Sequence, residues 1–366
     1  MERSDSNILT GYLGTYASEK SKGIYRFTMD AVTGQLTVPE LYYEALDCKY
    51  LSLYKGILAA PVQKEDAAGI CLLDINQAKP QLLAEKFEEA ATACFITQDE
   101  NWIYTANYHE GIVLIYQKDT KGVTLVKRID IAPKAGCHQV LLHDGLLLIP
   151  CLLLDEIRIF DSKNNFCQIG VIPFPKGTGP RHGVFTKDHR FLFIISELSN
   201  ELYTFEVSET SEMTQDAKPC FRLLSVQTLF PQNNANTDAP RSAIPTPAAP
   251  ISAPISSPTT LTPPTSAAIR FSPDEHYLYI STRYADVISV FAVESGKAVM
   301  IQQINSGGIH PRDIILSPDG RFLLAVNRTE GGLVAFPISQ EDGTLGPVCS
   351  RVPVFEAVSI VLDGPS

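Results

Sequence analysis

Five basic side chains, one carboxylate and two imidazoles carry most of the chemistry this sequence can offer. They recur at matching places in a repeated unit. The start of the unit's first strand holds Arg181, Arg312 and, allowing for one deleted turn residue, His138; Lys49 falls near the same place. Other units carry small residues there, Thr92-Ala93 and Ser266-Ala267, which leave room. The end of the unit's second strand holds Glu197, Arg283 and Arg328, with Tyr108 and Leu152 in that slot elsewhere. Guanidiniums that converge on one point bind phosphate, carboxylate or a developing oxyanion. A carboxylate or imidazole beside them can move a proton. Like charges gathered around a cavity are costly without a ligand, so the group as a whole points to an anion site with an acid/base member.

Strand alternation sorts the neighbours. Cys137 precedes His138 and so should face blade packing, which disfavours a cysteine nucleophile. His182 follows Arg181 and should likewise point away from it, which makes it a secondary candidate. His109, His143, His189 and His276 lie in turns or at strand ends, where solvation is the default. The sequence contains no G-x-S-x-G elbow, H-E-x-x-H, P-loop or G-x-G-x-x-G. No cluster of His and carboxylates has tight metal-ligand spacing, so neither a metal nor a cofactor is expected.

The elements that position these residues are strands. The clearest unit runs His310-Pro311-Arg312-Asp313 through Ser317-Pro318-Asp319-Gly320 to Phe322-Leu323-Leu324. Ser272-Pro273-Asp274-Glu275, Thr186-Lys187-Asp188-His189 and Thr97-Gln98-Asp99-Glu100 repeat its turn, and Asp144-Gly145 and Lys55-Gly56 mark weaker copies. A partial copy starts at Thr10-Gly11. The period is about 45 residues, and a strand-only repeat of that length predicts an all-β, seven-bladed β-propeller with four-stranded antiparallel blades. Val352–Leu362 resembles a first strand with no second strand after it, and Ile8–Tyr16 a second strand with no first. The two ends are therefore expected to share one blade and close the ring. The two slots should then meet at one mouth of the central channel.

Seven such blades need about 310–330 residues, so a single propeller domain over 1–366 accounts for nearly the whole chain of 366. Between Thr186 and Ser272 the spacing nearly doubles. The stretch at about 231–265, crowded with Pro, Ala, Ser and Thr, is expected to be an extended surface loop rather than an eighth blade. A net charge of −11 argues against nucleic acid as a partner. No apolar run is long enough to span a membrane and the N-terminus lacks a signal-peptide core. Eight cysteines without C-x-x-C spacing read as reduced thiols. Together these features predict a cytoplasmic protein, as a monomer or weak homodimer.

At Gly136-Cys137-His138, Gly179-Pro180-Arg181-His182-Gly183, Ser196-Glu197-Leu198-Ser199-Asn200, Ser281-Thr282-Arg283 and Pro311-Arg312-Asp313 the chain resembles the seven-bladed-propeller lactonases. That family includes the propeller-type 6-phosphogluconolactonase and the fungal carboxy-cis,cis-muconate lactonizing enzyme. The resemblance runs from Gly11 to about Leu362 apart from the proline-rich stretch, and the missing turn residue after His138 is its other departure. It implies a site of His138, Arg181, Arg283 and Glu197. It also implies hydrolysis of a small anionic sugar lactone, 6-phospho-D-glucono-1,5-lactone above all. Water would attack the carbonyl with Glu197 or His138 as general base. Arg181 and Arg283 would hold phosphate or the oxyanion, and Arg312, His182, Arg328 and Lys49 would add substrate contacts. The alternatives are lactonization of a carboxylated muconate and a ligand-binding propeller without turnover.

Overall fold

The computed structural model describes residues 7–77, 79–119, 122–209, 219–230 and 262–363. Seven four-stranded antiparallel sheets occur among them. Blade 1 combines the C-terminal strand Ala357–Asp363 with Ile8–Thr15, Gly23–Asp30 and Glu40–Glu44. Blades 2 to 7 begin with inner strands Ser52–Tyr54, Phe95–Gln98, Leu141–His143, Pro180–Phe185, Thr265–Phe271 and Ile309–Leu316. The ring closes as expected: Tyr12 pairs with Val361 and Leu13 with Ile360. The stretch expected as an inserted loop lies outside the described residues up to 261, and Thr265 already belongs to the inner strand of blade 6.

Turn chemistry explains the repeat signature. In blade 7 the Asp319 carboxylate accepts from the Ser317 hydroxyl (2.6 Å) and the Arg321 amide (3.1 Å). The Ser317 hydroxyl accepts from the Phe322 amide at 3.0 Å. The Ser272/Asp274 and Thr186/Asp188 turns repeat these bonds. Each turn then needs a left-handed residue: Gly320 (φ 70°) in blade 7, but Glu275 (φ 62°) in blade 6 and His189 (φ 58°) in blade 5.

The apolar residues of each strand bury against the next blade. Seven clusters result, one at each blade–blade interface, such as Phe193 and Ile195 of blade 5 against Leu278 and Ile280 of blade 6. This continuous core fixes the inner strands around the axis. No helix among the described residues is long and apolar enough to cross a membrane. All eight cysteines are free thiols: Cys48, Cys71, Cys137 and Cys151 are buried, while Cys167 and Cys220 are exposed.

Candidate active site

Two strand irregularities build the site. In blade 5, Pro180 pairs with Ser196 and His182 with Ile195, which leaves Arg181 as an extra, unpaired residue. In blade 7, Pro311 pairs with Asn327 and Asp313 with Val326, which leaves Arg312 in the same state. A β-bulge of this kind bends the strand and re-aims side chains. It also breaks alternation, so His182 is not turned away from Arg181 as strict pleating requires. Instead Arg181 Nη1 lies 3.3 Å from His182 Nδ1, and His182 joins the site.

Glu197 is the centre. Its Oε2 accepts from Arg181 Nε at 2.6 Å and pairs with Arg283 Nη2 at 2.8 Å. Both contacts use Oε2, so Oε1 stands outside the two ion pairs. Arg181 is buried, and its Nη1 also donates to the Ala267 carbonyl. Arg283 lies 3.4 Å from the carbonyls of Thr265 and Ser266. Burial works to raise the pKa of Glu197, but Arg181 and Arg283 outweigh it and hold the carboxyl below its ordinary value. Burial and the charge of Arg181 pull Arg283 down, against the opposing pull of Glu197; a guanidinium nevertheless stays charged at neutral pH.

His138 and His182 meet edge on, Nδ1 of the first 3.1 Å from Nε2 of the second. Burial first, and then Arg181, hold both rings well below the usual histidine value, so both are neutral at pH 7. A guanidinium can only donate. Arg181 Nη1 lies at nearly the same distance from both His182 nitrogens, 3.3 Å from Nδ1 and 3.5 Å from Nε2, and of the facing His182 Nε2 and His138 Nδ1 one donates and the other accepts. Where His182 Nε2 donates to His138, His138 Nε2 carries a proton and is a donor; in the opposite tautomer it is bare and is a base.

A second group of cations surrounds Tyr16. Arg328, Arg312 and Lys49 lie 4.7, 5.7 and 5.9 Å from its ring centroid, within cation–π range. Arg312 Nη2 also donates to the Tyr16 hydroxyl at 3.0 Å. Arg328 pairs with Glu356 at 2.7 Å. The field of Arg312 reaches His138, Arg181, His182, Glu197 and Arg283, so the two groups share one mouth.

The family described as "Lactonase, 7-bladed beta-propeller" matches residues 10–362. The chain belongs to this family of lactone-hydrolysing enzymes. This lactonase is 24% identical to the 6-phosphogluconolactonase of Bacillus subtilis, over 94% of this chain and 95% of that protein. A crystal structure of a Lactobacillus plantarum protein superposes with a TM-score of 0.81 at 24% identity, covering 98% of this chain and all of the other. The periplasmic gluconolactonase of Pseudomonas aeruginosa gives 0.80 at 18%, covering 98% and 99%.

The structure of the lactonase brings together His138, His182, Arg181, Glu197 and Arg283, and it places Arg312, Arg328 and Lys49 around Tyr16. Tyr16 itself went unnoticed in the sequence. It follows directly on the second strand of blade 1, as Glu197 follows on that of blade 5, so extending the slot comparison to the first blade would have found it. His310 was also missed. It occupies the place of Gly136 and Gly179 in blades 4 and 5, and shares their left-handed backbone at φ 66°, uncommon for a residue other than glycine. Its Nε2 is buried without a hydrogen-bond partner. Burial, then Arg312 and Arg283, push its pKa down to about 3. A histidine in a glycine slot, beside the Pro-Arg-Asp motif, was the available signal.

Proposed function

We propose that this lactonase hydrolyses 6-phospho-D-glucono-1,5-lactone to 6-phosphogluconate. The observation that carries the reading is the uneven charge at the mouth. Around Glu197 and Tyr16, five cations (Lys49, Arg181, Arg283, Arg312 and Arg328) face two carboxylates, Glu197 and Glu356. The group nearer Glu197 has the acid/base member, and the group at Tyr16 has the larger surplus of positive charge. A substrate with a reactive carbonyl at one end and a phosphate at the other matches both. The name of the Bacillus relative agrees with this substrate.

In this reading Lys49, Arg312 and Arg328 hold the phosphate, with His310 Nε2 as a further donor. The lactone carbonyl lies towards His138 and Arg283. Glu197 Oε1 takes a proton from water as the water oxygen bonds to the carbonyl carbon. The negative charge that develops on the carbonyl oxygen is met by His138 Nε2–H and Arg283. A neutral imidazole kept from protonating by its surroundings is suited to that donor role. The tetrahedral intermediate then breaks its bond to the ring oxygen, which recovers the proton from Glu197. The new carboxylic acid loses its own proton to solvent. Such lactones already open slowly in water, so modest activation is enough.

Acid release from freshly prepared phosphogluconolactone and from gluconolactone tests the assignment. The phosphorylated lactone is expected to be processed about 10- to 150-fold more efficiently, the worth of one charge-assisted contact of roughly 1.5–3 kcal/mol. Equal efficiency on the two would refute a phosphate site. Turnover of a carboxymuconate with neither lactone accepted would reassign the cation group to carboxylates.

A further inference from the structure

At the opposite end of the channel, where the inner strands of blades 4 and 5 turn outwards, two histidines from different blades face each other. His143 Nδ1 is 2.9 Å from His189 Nδ1. The carboxylate of Asp144 lies 3.7 Å from His189 Nδ1 and 3.9 Å from His143 Nε2. One ligand atom from each residue lies within 4.8 Å of the others. We propose that His143, Asp144 and His189 form a binding site for a borderline divalent cation of the zinc type, which clasps blade 4 to blade 5. The proposal is independent of the substrate assigned at the other mouth.

Several features separate this cluster from a chance contact. His143 is buried, although its place at a strand end suggested solvation. Its ring stacks on Phe185 with centroids 4.5 Å apart and planes 11° from parallel, so it is held in place before any ion arrives. His189 is accessible and supplies an entry path. It sits at the left-handed turn position that Gly320 fills in blade 7 and Glu275 in blade 6, so a glycine is accommodated there. Two imidazoles and a carboxylate suit zinc and leave a fourth position for water. Nitrogens bound to one zinc at about 2.0–2.1 Å and a tetrahedral angle lie roughly 3.3 Å apart. The observed pair has to open by only about 0.4 Å. The other close histidine pair, His138 and His182, is a poor rival because Arg181 and Arg312 surround it with positive charge.

The test is a titration of chelator-treated full-length protein with ZnCl2, followed by calorimetry and by thermal melting. The expected result is one ion per chain and a raised Tm, with no competition from Mg2+, which prefers oxygen ligands. His189→Gly removes a ligand while suiting the turn, so the variant folds; it is expected to abolish both effects and leave lactone hydrolysis unchanged. Asp144→Asn is expected to weaken binding about 10-fold or more. Absence of zinc uptake by the wild type overturns the proposal. So does uptake that persists undiminished in His189→Gly, which would place the ion elsewhere.

Discussion

Arg181 Nη1 lies 3.3 Å from Nδ1 and 3.5 Å from Nε2 of His182, its immediate neighbour in the chain, and that Nε2 lies 3.1 Å from His138 Nδ1. Arg181 can only donate, and the proposed reaction uses the tautomer in which His182 Nδ1 accepts from it and Nε2 donates to His138. In that proposal His138 has a proton to offer and Glu197 acts as the base.

This division of roles separates three variants. Glu197→Gln is expected to lower kcat roughly 10²–10⁴-fold, the usual worth of a proton-transferring group. His138→Ala is expected to lose about 10²–10³-fold, as for an oxyanion donor. His138→Gln keeps an N–H and is expected to recover a measurable part of that loss. If the Gln and Ala variants are equally inactive while Glu197→Gln is active, His138 is the base. His276→Ala, in a turn remote from the mouth, is expected to change neither kcat nor KM.

The pH profile of kcat follows from the same groups. Glu197 is held below its ordinary range, so it remains ionised and able to accept a proton at pH 5 and above. His138 and His182, held well below the ordinary histidine value, are neutral at pH 6.5 and above. A flat kcat from pH 8 down through 6.5 is expected. KM, by contrast, is expected to rise below about pH 6, where the phosphate of the substrate takes up its second proton. An acid limb in kcat centred near 6.5 would show an unperturbed histidine in the reaction.

Arg312 contacts Tyr16, and its charge also acts on Glu197. Arg312→Ala is expected to raise KM for the phosphorylated lactone about 10- to 150-fold while leaving the unphosphorylated lactone little affected. Tyr16→Phe keeps the ring under the three cations and loses only the hydroxyl contact, so a smaller rise is expected. Steady-state kinetics on both lactones decide the matter, and an equal effect on the two would remove Arg312 from phosphate binding.

Stability is expected to fall on acidification. His138, His182 and His310 have folded pKa values lowered by burial and neighbouring arginines. Below about pH 6.5 the unfolded chain takes up protons that the native state refuses, so their contribution is fully present above that value and is lost as pH falls. Each of the two deeply buried rings adds a slope of up to about 1.4 kcal/mol per pH unit. Glu197 acts in the same direction at lower pH; Glu89, which burial pushes up to about 7, and Asp313, also raised by burial, oppose it, but the lowered histidines outnumber them. Urea midpoints at pH 7.5, 6.5 and 5.5 are expected to decrease in that order, and a His182→Asn variant to show a shallower decline. Midpoints that are level between 6.5 and 5.5 would show that these rings protonate freely in the native state.

Local rules were enough for much of this protein. The Ser-Pro-Asp-Gly turn is made by bonds within six residues, and strand alternation is a property of the chain itself, so seven blades and the ring closure were legible in the sequence. The meeting of Arg181, Glu197 and Arg283 also followed, because equivalent slots in a closed ring converge. The direction of His182 did not. It depends on the register between two strands, and the extra residue at Arg181 is defined only by what pairs across from it. The same holds for Tyr16 and Arg312, which touch across 296 positions of chain, and for His143 and His189, which are brought to 2.9 Å by the packing of blade 4 on blade 5. Periodicity along a chain reports which face a residue prefers. Only the docking of one blade on the next decides which side chains from different blades share that face.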